Sequence, residues 1–169
     1  SLLASVNYFG SVELFEGLRP LLARAGTSFA LAACSNSMTC QPGISEELVE
    51  ALLSGDEEHA REVADRGESV LAYPATKTAV AHWVRAQAPA WVADGVRLNA
   101  VAPGLVETAM TAEMRADGTV APLLAAFPLP MGRGATADEI AAVVTWLLSD
   151  ESAFLTGVDV PVSGGQVMP

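Results

Sequence analysis

Positive charge is scarce in this sequence of 169 residues, which has 9 lysines and arginines against 20 aspartates and glutamates, a net charge of −11. Nucleic-acid and anionic-membrane surfaces are bound through clustered lysine and arginine, so we exclude both as partners. The apolar runs are much shorter than the ~20 residues of a membrane helix, and no basic segment followed by an apolar one marks a secretion signal. The composition therefore predicts a soluble, cytoplasmic protein without a membrane partner.

Cysteine and histidine are also too few for a metal centre or a disulfide framework. Cys34 and Cys40 are the only cysteines, and His59 and His82 are the only histidines. None of the four belongs to a metal-ligand motif, so we expect no metal and two thiols rather than a disulfide. The sequence has no Gly-x-Ser-x-Gly elbow either, which argues against a serine hydrolase.

The sequence does contain an alternation of helical and buried-strand patterns. Apolar residues at helical spacing predict helices over 7–25, 46–53, 56–66, 73–92 and 136–148. Continuous apolar runs predict strands over 28–34, 96–101 and 157–162. Pro74 is expected in the first turn of its helix, and Pro89 is expected to distort the last. The alternation indicates an α/β fold, a Rossmann-type doubly wound parallel sheet in a single domain over residues 1–169.

Small polar segments follow the predicted strands. Ser35-Asn36-Ser37 follows the first strand, Pro103-Gly104 the second and Ser163-Gly164 the third. In open parallel sheets, ligands bind beyond the carboxyl ends of the strands. We therefore expect these segments to share one edge of the sheet, with Tyr73 on a helix that approaches the same edge.

Tyr73 and Lys77 carry the chemical argument. Lys77 is the only lysine of the chain, and it follows one of only two tyrosines by four residues. That spacing places both side chains on one helix face. A nearby ammonium stabilises a phenolate and lowers a phenol's pKa from roughly 10, so that the phenol exchanges a proton near neutral pH. The plainer alternative is a solvated lysine that lies over a tyrosine ring.

Six landmarks in order resemble those of the short-chain dehydrogenase/reductase family. They are Asn7-Tyr8-Phe9-Gly10, Ser35-Asn36-Ser37, Tyr73-x-x-x-Lys77, Arg97-Leu98-Asn99, Pro103-Gly104 with Thr108, and Ser163-Gly164-Gly165. The resemblance covers the whole chain. It implies an enzyme that moves a hydride between a nicotinamide cofactor and a carbonyl compound or secondary alcohol.

The resemblance implies a role for each matching residue. Tyr73 would be the general acid/base, and Lys77 would lower its pKa and bind the nicotinamide ribose. Ser35 would hold the substrate oxygen, with Ser37 as a rival for that position, and Asn7 would anchor a water that relays protons. The remaining candidates flank the cofactor (Pro103, Gly104, Val106 and Thr108) or an apolar substrate (Met110 and Met114). Two plainer alternatives stay open, a helix N-cap for Asn7 and ordinary core for the methionines.

Two departures from the family pattern shape the prediction. The glycine-rich phosphate turn is not in this sequence, so we expect the chain to lack the N-terminal βαβ part that binds the dinucleotide. Residues 45–67 form a helical insertion, which resembles the bacterial 3α-hydroxysteroid dehydrogenase/carbonyl reductase subgroup. Residues 105–133 would form the substrate loop, with 109–128 as its mobile part.

The resulting prediction is an NAD(P)-dependent oxidoreductase that interconverts a secondary alcohol and a ketone, such as a hydroxysteroid or another apolar carbonyl compound. NAD is slightly preferred to NADP as the cofactor. The expected partners are a small apolar ketone or alcohol and further copies of the chain in a homo-oligomer. The alternative is a truncated, non-catalytic homologue that acts as an interaction module.

Overall fold

The computed structural model describes residues 2–24, 29–34, 44–67 and 69–166. A short helix α1 (Leu2–Ala4), a π-helical turn (Ser5–Phe9) and helix α2 (Gly10–Arg24) come first. The elements that follow are β1 (Phe29–Cys34), α3 (Glu46–Leu53), α4 (Glu57–Arg66), α5 (Ser69–Ala93), β2 (Val96–Pro103), α6 (Ala109–Ala116), α7 (Ala121–Ala125), α8 (Ala137–Leu148) and β3 (Asp159–Val162). Within these described ranges, no helix is both long and apolar enough to cross a membrane.

The three strands form one parallel sheet in the order β1-β2-β3. Cys34 pairs with Val101, and Pro103 pairs with Val162, so the three strands end at a common edge. Strand β2 lies in the middle and is buried from Val96 to Ala102. Its continuous apolar pattern fits a strand that is covered on both faces, as the parallel-sheet prediction requires.

Helix α5 packs against β2 and supplies much of the core. Four of its apolar residues were predicted on its buried side, and the structure confirms the burial of all four: Val80, Trp83, Val84 and Trp91. Alanines complete the buried face, among them Ala75 and Ala79, which have no exposed surface. Small side chains let the helix approach closely, and the tryptophans fill the wider space, as the close packing of protein interiors demands.

Arg97 and Asn99 are polar side chains buried in β2. The Arg97 guanidinium donates to the Ser149 carbonyl (3.0 Å) and to the Ser152 hydroxyl (3.2 Å), just beyond the C-terminus of α8. The Asn99 amide donates to the Leu155 carbonyl at 3.0 Å. A buried polar group is tolerated when it is hydrogen-bonded, and a cation is favoured at a helix C-terminus. The Arg97-Leu98-Asn99 landmark therefore ties the sheet to α8.

Residues 45–67 form the two helices that the charge pattern predicted. The side chains of Ser45 and Asp56 cap α3 and α4 by accepting backbone N–H bonds at 3.2 Å and 3.0 Å. The apolar side of α3 is buried against α5, and α4 lies near α1 and the π-helical turn. This pair of helices therefore packs on the same helical segments that carry Tyr73 and Asn7.

The prediction that helix 73–92 begins at Tyr73 is wrong. Helix α5 begins at Ser69, so Tyr73 is its fifth residue and Pro74 lies in its second turn. Residues 69–72 contain no helix breaker, and a proline costs a helix only the one hydrogen bond that its missing N–H would have made, together with local crowding. The helix also continues through Pro89 as one element to Ala93.

Two strand boundaries also differ from the prediction. Strand β3 starts at Asp159 rather than at 157, because Gly157 has φ +71°, a left-handed conformation that does not belong to a strand. Strand β2 extends past Val101 because Ala102 and Pro103 pair with β3. The periodicity of the sequence alone predicts neither the start of β3 nor the end of β2.

Candidate active site

The lengths of α5 and β2 place Lys77 near the level of the carboxyl edge of the sheet. Only Asp94 and Gly95 separate the end of α5 from the start of β2, so the two elements run in opposite directions. The eight residues of β2 rise about 23 Å, which equals the rise of about 15 helical residues. Counting back from Ala93 by that amount reaches the turn of α5 that carries Lys77.

Tyr73 and Lys77 are neighbours on α5. The Lys77 ammonium nitrogen lies 5.8 Å from the centroid of the Tyr73 ring, over the ring. Tyr73 is 37% exposed and therefore accessible to a ligand. An ammonium is a compact cation with three donors on a flexible stem, so the same group can reach a phenol oxygen and nearby hydroxyl groups.

Tyr8, the other tyrosine, is a natural contrast to Tyr73. Tyr8 is only 3% exposed, and its ring packs edge-on against Phe9 with centroids 5.1 Å apart. Burial raises the pKa of the Tyr8 phenol to about 12, which favours its protonated form. Tyr8 is thus a core residue, whereas Tyr73 has the exposure and the neighbouring cation that proton transfer requires.

Asn7 lies in the π-helical turn and contacts the Tyr73–Lys77 turn through Thr76. Its Nδ2 donates to the Thr76 hydroxyl at 3.3 Å, and that hydroxyl donates to the Tyr73 carbonyl at 2.7 Å. π-helical turns occur often at functional sites, because the extra residue redirects a side chain. The N-cap alternative does not describe Asn7, because it sits inside a helical segment that runs from Leu2 to Arg24.

Ser35 and Ser37, the candidates for holding the substrate oxygen, lie outside the described residues. Strand β1 ends at Cys34, the residue before Ser35 in the sequence, and Cys34 pairs with Val101. The other cysteine, Cys40, is likewise outside the described residues. In the part of the chain that the structure covers, no three His, Cys, Asp or Glu side chains form a metal-binding group.

The predicted cofactor-binding residues follow the end of β2. Gly104 donates its N–H to the Val162 carbonyl at 3.1 Å, and Val106 forms an isolated bridge with Ala135. Thr108 is the N-cap of α6, where its hydroxyl accepts the Thr111 N–H at 3.3 Å. These contacts give the loop after β2 one fixed path away from the sheet.

Gln166 was missed by the sequence reasoning. Its side chain is 2% exposed, its Oε1 accepts the Leu105 N–H at 3.0 Å, and its Nε2 donates to the Pro128 carbonyl at 2.9 Å. A Cβ on Gly104 would stand 2.1 Å from Gln166 Oε1, so the missing side chain of Gly104 makes room for this amide. Both partners of Gln166 are distant in sequence, and no local pattern could have indicated the contacts.

The two methionines proposed for the substrate sit on α6. Met110 is 65% exposed, and Met114 is half-buried. Met131, in the loop beyond α7, is also 65% exposed. Exposed methionines form an adaptable apolar surface, which suits contact with an apolar ligand better than core packing.

A family model described as enoyl-(acyl carrier protein) reductase matches residues 58–166, which is more than half of the chain. The chain belongs to the short-chain dehydrogenase/reductase family. Its three-stranded parallel sheet is part of a Rossmann fold, the fold of its solved relatives.

Relatives narrow the resemblance to one subgroup of short-chain dehydrogenases. The 3α-hydroxysteroid dehydrogenase/carbonyl reductase of Comamonas testosteroni is 35% identical over 164 residues, which are 95% of this chain and 64% of that protein. A crystal structure of 3α-hydroxysteroid dehydrogenase from Pseudomonas sp. B-0831 complexed with NADH is 38% identical, with a TM-score of 0.90 over 96% of this chain and 64% of that one. The chain spans about two thirds of the length of these relatives.

A more distant short-chain dehydrogenase gives a weaker match. The structure of a putative NAD(P)-dependent gluconate 5-dehydrogenase from Beutenbergia cavernae, with bound NADP at low occupancy, is 28% identical. Its TM-score is 0.71 over 97% of this chain and 55% of that one. The drop from 0.90 to 0.71 at equal coverage places this chain structurally closer to the hydroxysteroid dehydrogenase.

The residues at the carboxyl edge fit the nicotinamide end of a dinucleotide. Lys77 offers donors suited to ribose hydroxyls, and the exposed Thr108 offers a hydroxyl suited to a carboxamide. The glycine-rich turn that would cradle the pyrophosphate is not among the 169 residues. The residues of this chain therefore fit the nicotinamide end of the cofactor and not its pyrophosphate.

Proposed function

We propose that the protein containing this chain is an NAD(P)-dependent oxidoreductase that interconverts a secondary alcohol and a ketone. The observation that carries the proposal is the half-buried Lys77 ammonium 5.8 Å from the ring of an accessible Tyr73. Family membership supports it, as does the hydroxysteroid dehydrogenase structure complexed with NADH. NAD is the cofactor that we favour over NADP.

In the proposed mechanism, Tyr73 transfers one proton to or from the substrate oxygen. A nicotinamide held by Lys77 and Thr108 would supply or accept the hydride at the substrate carbon. In ketone reduction, the Tyr73 hydroxyl donates its proton to the substrate oxygen, and in alcohol oxidation the phenolate accepts it. Lys77 stabilises the phenolate through its charge, and Asn7 anchors the water through which the proton reaches solvent. Ser35 holds the substrate oxygen by hydrogen bonding.

The test uses the full-length product of the gene and compares the two tyrosines. Fluorescence titration with NADH and NADPH should show binding, and ketone-dependent oxidation of the reduced cofactor should follow. Tyr73→Phe should lower kcat by about 10²–10⁴-fold, the usual contribution of a general acid/base. Tyr8→Phe, the matched control, should leave kcat near the wild-type value because Tyr8 lies in the core.

Three outcomes would contradict the proposal. Binding of neither nicotinamide by the full-length protein would favour the second candidate, a non-catalytic homologue that uses its helices for association. Equal turnover by Tyr73→Phe and wild type would remove Tyr73 from the mechanism. Ester hydrolysis without nicotinamide would instead indicate a hydrolase.

The substrate class that we propose is an apolar ketone or alcohol, including hydroxysteroids. The exposed Met110 and Met131 and the similarity to the hydroxysteroid dehydrogenases support this class. A panel of steroid ketones, simple aryl ketones and sugar ketones, assayed with the same cofactor, separates the alternatives. Turnover of sugar ketones but not of steroid or aryl ketones would contradict the apolar class.

We also propose a homo-oligomer whose interface differs from that of relatives without the insertion. Helices α3 and α4 cover part of α5 and of the π-helical turn, and a partner copy has no access to these covered surfaces. Sedimentation of the full-length protein measures the assembly directly. A strictly monomeric protein would contradict this part of the proposal.

A further inference from the structure

Thr76 joins two helices at the candidate active site. Its side chain has no exposed surface, although threonine is a polar residue. Its hydroxyl is within hydrogen-bond distance of the Tyr73 carbonyl (2.7 Å) and of Asn7 Nδ2 (3.3 Å). Thr76 is therefore the direct polar link between the π-helical turn and the turn of α5 that carries Tyr73 and Lys77.

The donors and acceptors of this link have a fixed order. A threonine hydroxyl has a single proton, and the carbonyl of Tyr73 can only accept a hydrogen bond. The Thr76 hydroxyl therefore donates its proton to the Tyr73 carbonyl, and its oxygen accepts a hydrogen bond from the Asn7 amide. This order determines which side of the Asn7 amide is NH₂ and which is oxygen.

The link acts on the backbone between the two candidate catalytic side chains. In a regular α-helix, the carbonyl of residue 73 accepts the N–H of residue 77. The Thr76 hydroxyl adds a second donor to the same carbonyl. The Tyr73–Lys77 turn is therefore coupled to the orientation of Asn7 through one hydroxyl.

Thr78 shows what a threonine on this helix does without such a link. Its hydroxyl donates to the Pro74 carbonyl at 3.1 Å, the usual local bond of a helical threonine, and its side chain is half-buried. Thr76 makes a similar local bond but is fully buried and accepts a hydrogen bond from another helix. This difference indicates that Thr76 does more than stabilise its own helix.

We infer that Thr76 is a positioning residue, which holds the Asn7 amide in one orientation against the Tyr73–Lys77 turn and so supports proton transfer. The inference rests on the proposed function, because it concerns the same proton. Nothing in this role requires Thr76 to contact substrate or cofactor.

The experiment compares three variants of the full-length protein with the wild type. Thr76→Val keeps the shape and removes the hydroxyl, Thr76→Ser restores it, and Thr78→Val removes a local hydroxyl bond as the matched control. Thr76→Val should lower kcat about tenfold, the effect of one well-placed hydrogen bond, and change the pH profile of kcat. Thr76→Ser should recover most of kcat, and Thr78→Val should match wild type. The cofactor KM should stay constant throughout.

A double-variant cycle shows whether Thr76 acts through Asn7. If it does, adding Thr76→Val to Asn7→Ala should cause no further loss of kcat, since the group that Thr76 positions is already gone. The side-chain ¹⁵N–¹H resonances of Asn7 should shift in Thr76→Val and not in Thr78→Val. This NMR measurement does not depend on turnover.

Three results would overturn the inference while leaving the proposed function intact. They are wild-type kcat and pH profile in a folded Thr76→Val protein, failure of Thr76→Ser to recover kcat, and fully additive losses in the cycle with Asn7→Ala. Absence of nicotinamide-dependent turnover in the wild type would overturn the proposed function and this inference together. A fourth result of the first kind, unshifted Asn7 resonances in Thr76→Val, would show that the hydrogen bond between Thr76 and Asn7 does not form.

Discussion

The helix side and the loop side of the candidate site are held in place by different forces. On the helix side, Tyr73 and Lys77 project from α5, whose inner face is buried at Ala75, Thr76 and Ala79 without any exposed surface. On the loop side, the segment after β2 is fixed by separate polar contacts, among them the amide of Gln166. Packing fixes the first side, and single hydrogen bonds fix the second.

The contrast indicates where changes should matter. A helix face inside a core keeps its geometry when one exposed side chain is replaced, so substitutions there change chemistry rather than structure. A loop fixed by hydrogen bonds loses about 1–3 kcal/mol when a buried partner is left unpaired. We therefore expect the helix side to respond in kcat and the loop side to respond in stability and KM.

The largest expected effect belongs to Lys77 on the helix side. Lys77→Met removes the cation beside Tyr73 and keeps a straight side chain of similar length. Without the ammonium, a phenol titrates near its ordinary pKa of roughly 10. We expect kcat for alcohol oxidation at neutral pH to fall by about 10²–10⁴-fold and the rising limb of its pH profile to move to higher pH.

Thermal unfolding is the control for Lys77→Met. The helix-side interpretation requires a midpoint close to that of the wild type, because Lys77 is only half-buried and the packed face of α5 is untouched. A large fall in the midpoint together with an unchanged pH limb would show that Lys77 is structural. It would also remove the contrast between the two sides.

Gly104 should give the largest effect on the loop side. In Gly104→Ala, the new Cβ meets Gln166 Oε1 at 2.1 Å and the Ser163 Cα at 2.9 Å, so both side chain and backbone must move. We expect a loss of about 3 kcal/mol, at the upper end of the cost of overpacking. Denaturant unfolding measures this loss. The same measurement on Gln166→Ala and on the double variant tests the contact, because the double variant should lose less stability than the sum of the two single losses.

Additive losses in that pair would contradict the contact between Gly104 and Gln166. Gly118→Ala is the matched control, because a Cβ at Gly118 meets no atom within 4 Å. It should leave the stability close to that of the wild type.

Much of the helix side was accessible from the sequence. The four-residue spacing of Tyr73 and Lys77 is a helical neighbour relation that follows from geometry once a helix is present. The buried face of α5 followed from the positions of its apolar residues, among them Val80, Val84 and Trp91. Local rules sufficed because the relevant distances lie within one helix.

The loop side and the helix boundaries were less accessible. The start of α5 was misplaced because Pro74 resembles a first-turn proline, although the helix includes it in its second turn. Gln166 pairs with Leu105 and Pro128, 61 and 38 residues away, and nothing in its neighbourhood marks it. The same holds for Thr76 and Asn7, which are 69 residues apart. Contacts between residues far apart in sequence form only in the folded chain, so the periodicity of the sequence does not predict them.

Gln166→Met should have a smaller effect than Gly104→Ala. Methionine fills a similar volume but leaves the Leu105 N–H and the Pro128 carbonyl without their partner amide. We expect a loss of about 1–2 kcal/mol and a raised KM for the ketone, since Pro128 ends the segment 109–128 that is predicted to be the mobile part of the substrate loop. Denaturant unfolding and initial-rate kinetics measure these two quantities. An unchanged KM with lower stability would limit Gln166 to a structural role.

The smallest expected effect concerns Glu139, at the entrance to α8. Hydrogen bonds from Arg133 (2.7 Å) and from the Thr136 N–H (2.8 Å) lower the pKa of Glu139 from its ordinary 4.5 to about 2. Since the folded-state pKa is the lower one, the stabilisation is present above pH 4.5 and is lost as the pH falls towards 2. Glu139→Gln should therefore lower the unfolding midpoint slightly at pH 7 and match wild type near pH 2, whereas Glu113→Gln, another exposed glutamate, should show no such pattern. A difference between Glu139→Gln and wild type that persists at pH 2 would show that the capping geometry, rather than the charge, stabilises this end of the loop.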